Sequence, residues 1–189
     1  MQTTLANAVK RGARLWRDPS AVSAIEFAFI APAMVLLYVG AVEIGNALTI
    51  YRRTSIVAAT ASDLTAQVKS VTASDLKDIE DASSSILTPY STTPLTIMLT
   101  SVIADQNNSG KVDWSCSNKG SGRAKGSAYA VPAGLTQAGS SVIVAEVTYA
   151  FTPVLGLAQV FSPGSFDMKR TFYARPRRSL TVQKPDVGC

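Results

Sequence analysis

The sequence has no histidine and only two cysteines, Cys116 and Cys189. Without histidine there is no imidazole general base, no Ser-His or Cys-His nucleophile pair and no His-ligated metal. Two cysteines so far apart do not make a zinc site. Serine and threonine are abundant, but a hydroxyl with no base beside it is not a nucleophile. Charged residues are sparse as well, at 16%. The expectation is a chain that is not an enzyme and takes no cofactor or metal.

Two glycine-rich or acidic stretches resemble ligand loops and fail on spacing. "GSGRAKG" (120–126) lacks the G-x-x-x-x-G-K-[ST] order of a phosphate loop, and no strand leads into it. "DQNNSGKVDWSC" offers Asp105, Asn107, Ser109, Gly110 and Asp113 to a calcium ion. Its twelfth position is Cys116, where such a loop needs a bidentate glutamate, so a hairpin turn is the better reading.

What the sequence has in excess is apolar residues in one place. The chain is 47% hydrophobic, and the apolar residues concentrate at 21–51, "AVSAIEFAFIAPAMVLLYVGAVEIGNALTIY". The net charge is +5. Lys10, Arg11, Arg14 and Arg17 precede the run; a second basic cluster lies at 169–178. A basic cluster abutting a hydrophobic stretch is explained by membrane orientation and not by nucleic-acid binding. Four basic residues before the run against Arg52 and Arg53 after it put the N-terminus inside the cytoplasm and the rest outside.

Three readings of this run compete. A cleaved secretory signal needs a small-residue site after its core, and Gly45, Asn46 and Ala47 offer a weak one. A plain anchor is the second: residues 27–42 are uncharged and would span about 24 Å as a helix, with flanking residues completing the crossing. The third starts from Glu26, because a carboxylate at a helix centre costs roughly 2.5–3.5 kcal/mol on insertion scales. A cut between Ala21 and Val22 would make Glu26 the fifth residue of the mature chain. The new α-ammonium could then pair with it, in the same helix or a neighbouring copy. At about 4 Å that pair is worth roughly 4 kcal/mol at an effective dielectric of 20.

These residues resemble a known family. Glu26-Phe27 after small residues, Ala31-Pro32 inside the apolar run, and Glu43 followed by Gly45 are similar to the N-terminal segment of TadE-like pseudopilins of the bacterial tight-adherence (Tad) pilus. "VIVAEVTYAFTPVLGL" (142–157) and "MKRTFYARPR" (168–177) resemble the family's late strand–turn–strand. This chain has Ala21 where prepilin cleavage sites most often have glycine. The resemblance implies a single-pass inner-membrane protein, N-terminus cytoplasmic and C-terminal domain periplasmic. A prepilin peptidase would cut it at Ala21–Val22, Glu26 and Phe27 would set the register between subunits, and other pilins and the assembly platform would be its partners. Its helix would either join an adhesive pilus as a minor subunit or prime the assembly of one, in attachment and biofilm formation. The alternative is an uncleaved, single-span periplasmic binding or scaffold protein.

Beyond the run, Ala47, Ile50, Tyr51, Thr54, Val57, Ala58, Ala61, Leu64 and Val68 recur every three or four residues, the mark of one helical face. The spacing predicts a single helix over 22–69, bent or locally unwound at Pro32, where the N–H is missing and the ring crowds the preceding turn. Residues 1–21 are a basic leader and 70–189 an extracytoplasmic domain. There "TASDLKDIEDASSSIL" predicts a short helix capped by Thr72 or Ser74, with Asp75, Asp78, Glu80 and Asp81 on a solvated acidic face. Strands are expected at 95–105, 111–117, 142–152 and 165–176, with 118–141 a surface loop and 153–161 a short apolar segment. Tyr149 and Phe151 suit either core or interface. Lys169, Arg170, Arg175, Arg177 and Arg178 could dock a partner or an anionic surface, but alternation on a solvated strand is the better reading. The fold class is α+β: four antiparallel strands packed on the second half of a long helix. Cys116 and Cys189, downstream of a translocated segment, read as one disulfide, or as two reduced thiols if the compartment is reducing.

Overall fold

The computed structural model describes residues 19–106, 109–153 and 165–189, with side chains from Val22 onward. Residues 1–18 of the basic leader and the apolar stretch 154–161 lie outside the described residues; 19–21, expected in the leader, are already helical. Helix α1 runs Pro19–Ala66, 48 residues. It opens on a proline, whose missing N–H costs nothing at a first helical position. It stays helical through Pro32, whose ring leaves the Ala28 carbonyl without its usual backbone donor.

Contacts divide the chain into two units. One contains α1 up to Gly45; the other is Asn46–Thr152 with Gly164–Cys189. In the first, the most apolar window of the helix has mean hydropathy 2.1 and none of it is buried. Phe29 is 80% exposed and Leu37 75%. By length and composition this is a candidate membrane span.

The second unit is the α+β domain. After α1 come helix α2 (Ala73–Ser84), a 3₁₀ turn (Ser85–Leu87) and four strands: β1 (Leu95–Ala104), β2 (Gly110–Ser117), β3 (Ser141–Phe151) and β4 (Phe166–Ala174). They form one sheet in the order β2-β1-β3-β4, and every neighbouring pair is antiparallel. The ladder between β1 and β2 shifts register at Ser101/Val102. Asp113 is the extra residue there, a β-bulge.

The core forms between one sheet face and the second half of α1. Val57, Ala58, Ala61 and Ala66 are fully buried together with Ile97, Leu99, Ile143 and Ala145. Small side chains let the helix lie close on the sheet, and the buried hydroxyls of the same stripe are satisfied locally. Thr54 and Thr65 donate to the carbonyls of Ile50 and Ala61, each at 2.8 Å. Tyr149 and Phe151 are core residues, both 5% exposed. On the opposite face Tyr129, Val131 and Tyr173 pack over Val102, Val142 and Val144. The segment expected as a surface loop therefore covers the sheet. Arg123 holds it there through a bidentate pair with Glu146 (2.8 and 3.1 Å) and by lying over the Tyr129 ring.

Helix α1 ends at Ala66, three residues short of the expected Lys69. The C-terminal tail accounts for the stop. The Arg177 N–H donates to the Ala66 carbonyl at 2.9 Å, satisfying one of the helix's orphan acceptors. Residues 69–71 are then drawn into a bridge with the tail: Val71 N–H donates to Gln183 O, and Gln183 N–H to Lys69 O.

Candidate functional site

The predicted site residues fall in both units. In the domain, Cys116 at the end of β2 is joined to Cys189 by a disulfide, with a Cα–Cα distance of 5.4 Å. The bond fastens a tail already held along its length. Trp114 Nε1 donates to the Val182 carbonyl at 2.8 Å. Asp186 accepts from the Ala73 N–H at 2.6 Å, at the start of α2, and from Lys184 Nζ at 2.9 Å. The Lys184 bond first, then the Ala73 N–H, hold the Asp186 carboxyl below its ordinary range.

The basic cluster at 169–178 is solvated as expected, with Lys169, Arg175, Arg177 and Arg178 exposed, and its side chains also make contacts within the domain. The Arg170 guanidinium lies 4.4 Å over the Tyr51 ring and donates to its hydroxyl. Arg175 donates to the carbonyls of Gly134 and Leu135, and Arg177 pairs with Asp63 on α1. Lys169 pairs with Asp167.

In the other unit, Val22 and Glu26 stand four residues apart on α1, one above the other on a single face. Val22, Glu26, Phe27 and Pro32 are all exposed, Phe27 by 67%. A carboxylate and large apolar side chains thus share an uncovered helical surface. The side chain of Ala21 is outside the described residues.

A family model described as TadE-like protein matches residues 21–63. Over these residues the chain is similar to TadE-like proteins. The matched stretch begins at Ala21, covers both the exposed and the buried halves of α1, and ends three residues before the helix does. It does not extend to 142–177, where the other likeness was read. No curated protein and no solved structure matches the chain.

Past the TadE-like segment, one group departs from the sequence reading. The acidic residues of α2 were expected on a solvated face, but Glu80 is only 8% exposed. It follows Leu76 by four residues and precedes Ser83 by three, so it lies on the stripe α2 turns inward. That spacing was the signal for its burial. Burial, with Asp81 adding and Lys77 opposing, pushes its carboxyl up to about 7. Thr72 caps the helix as expected: its hydroxyl accepts from the Asp75 N–H, and the Asp75 carboxylate accepts from the Thr72 N–H. That backbone bond is the main reason the Asp75 carboxyl is held below its ordinary range.

The hairpin reading of 105–116 agrees with the contacts described. Asp105 closes a turn with Ser109 through two bonds of 2.9 Å, and Cys116 is in the disulfide. Residues 107 and 108 are outside the described set. Among the described residues no group of three or more Cys, Asp or Glu is placed to hold a metal.

Proposed function

We propose that this chain is a prepilin-like minor pilin of a Tad-type pilus. It is held in the inner membrane by the exposed half of α1, with the domain on the periplasmic side. A prepilin peptidase cuts it between Ala21 and Val22. The observation that carries this reading is the TadE-like match over 21–63, which starts at the residue before the proposed cut and spans the uncovered apolar helix.

The chemistry supports the same reading. Cleavage creates an α-ammonium at Val22, one turn from Glu26. In a bundle of such helices, Glu26 of one copy meets the new terminus of itself or a neighbour, and the pair fixes the axial register. The exposed Phe27, Phe29 and Leu37 supply the lateral contact area. Partners are then the peptidase, other pilins through this helix, and the assembly platform, in a pilus used for attachment and biofilm formation.

The test is Glu26→Gln, followed by separate assay of membrane and sheared-pilus fractions. The variant is expected to insert in the membrane at the wild-type level and to be lost from pili or to stop their assembly. Normal incorporation of the variant would rule out the pairing role.

A further inference from the structure

A cleft of about 650 Å³ opens between α2, the end of β2 and the chain terminus. Ala73, Leu76 and the Cys116–Cys189 disulfide line it with apolar surface, and Glu80 lies among them. Glu80 Oε1 is buried and has no hydrogen-bond partner, although its residue is more than nine-tenths covered. A buried acceptor with no donor is costly, more so when charged, so this carboxyl gains a bond when a donor reaches it.

Three other polar groups of the lining have bonds elsewhere. The Asn118 amide accepts from Ile97 N–H at 2.9 Å and donates towards Leu95 O. Ser117 Oγ donates to Lys119 O at 2.8 Å. Lys77 Nζ is bonded to Asp81 at 2.7 Å on the exposed side. Of the buried side-chain atoms without a partner, which include Ser83 Oγ on the same helix, Glu80 Oε1 is the one whose residue lines the cleft. The sign of the field agrees: α2 carries Asp75, Asp78, Glu80 and Asp81 against Lys77 alone, on a chain whose net charge is +5.

We propose that this cleft receives a basic side chain, lysine or arginine, presented by a partner polypeptide. The apolar part of the lining, Ala73, Leu76 and the disulfide, takes the methylene stem, as long basic side chains commonly pack along apolar surface. The terminal N–H groups donate to Glu80, a charge-assisted bond. The site is formed by α2, β2 and the terminus of the domain. It is separate from the helix surface used for pilin packing.

The test uses the full chain in lipid nanodiscs, with isotope-labelled backbone amides observed by NMR. N-acetyl-arginine amide and N-acetyl-lysine amide are titrated in turn, with N-acetyl-norleucine amide as the uncharged probe of similar stem. The expected result is a saturable shift at 73–81 and 116–118 with at least one cationic probe. Norleucine should bind at least tenfold more weakly, and Glu80→Gln, nearly equal in shape, should weaken the cationic probe at least tenfold. No saturable shift at those residues would overturn the proposal, as would equal binding of norleucine or of the Glu80→Gln variant.

Discussion

The two halves of α1 answer to different surroundings although one helix runs through both. Residues 22–45 carry large apolar side chains that stand exposed, Phe29 and Leu37 among them. Residues 46–66 carry Ala, Ser and Thr along the contact stripe, and Ala58, Ala61, Ser62 and Thr65 are fully buried. Small residues let the helix sit close on the sheet, and the chain itself supplies their cover. Among the described residues the large side chains of the first half have no such cover; a bilayer or neighbouring helices would provide it. Each half therefore tolerates a different kind of change. The second is sensitive to added volume and the first to lost lipid or lateral contact.

The largest expected effect tests what keeps the second half seated. Cys189→Ser removes a bond that closes a loop across 73 residues of sequence. It should cost about 2–4 kcal/mol of domain stability, read by urea unfolding of the full chain in detergent with tryptophan fluorescence. A loss below about 0.5 kcal/mol would mean that the tail's hydrogen bonds hold it without the disulfide.

The comparison itself is tested by a pair. Ala61→Leu should destabilise the domain by about 1–3 kcal/mol through overpacking. Leu37→Ala, in the exposed half, should stay within about 0.5 kcal/mol in the same assay. Equal effects would erase the distinction between the halves.

Glu80 sharpens it through pH. The folded chain holds a proton up to about 7, whereas the usual value is 4.5. Between these values the native state binds more protons than the unfolded one, so stability falls as pH rises through that window. Below it the proton is bound in both states, and above it the loss is complete. Glu80→Gln should abolish the fall and leave the variant about 1–3 kcal/mol more stable at pH 8, with little difference at pH 4. Parallel pH curves for the two proteins would contradict this. The smallest effect is at the cap: Thr72→Ala should cost about 1 kcal/mol, visible as a shift in the urea midpoint.

The helices and strands were legible because their signals are local. The three-and-four spacing of Ile50, Thr54, Val57, Ala58 and Ala61 marks the buried stripe, and alternation marks the four strands to within about two residues. The capping box at Thr72–Asp75 is also a short-range pattern. The pairing of Cys116 with Cys189 followed from the compartment that the apolar helix implies. What escaped is long-range. Arg170 meets Tyr51 across 119 positions, and Trp114 meets Val182 across 68; no spacing rule links residues so far apart. The end of α1 at Ala66 was missed for the same reason, since the tail stops the helix. Glu80 was misread because charge was weighed above its position four residues after Leu76. The roles expected of Val22, Glu26 and Phe27 rest on chemistry and resemblance; the structure adds that all three are exposed on α1.

The central claim is that the exposed half of α1 begins, in the mature protein, at Val22. The direct measurement is the N-terminal residue of the chain recovered from membranes, by terminal sequencing and intact mass. The account predicts Val22, with an Ala21→Gly variant cut at the same bond at least as completely. A chain that keeps the residues upstream of Val22 contradicts it, and a terminus near Ala47 would mark a secretory signal instead.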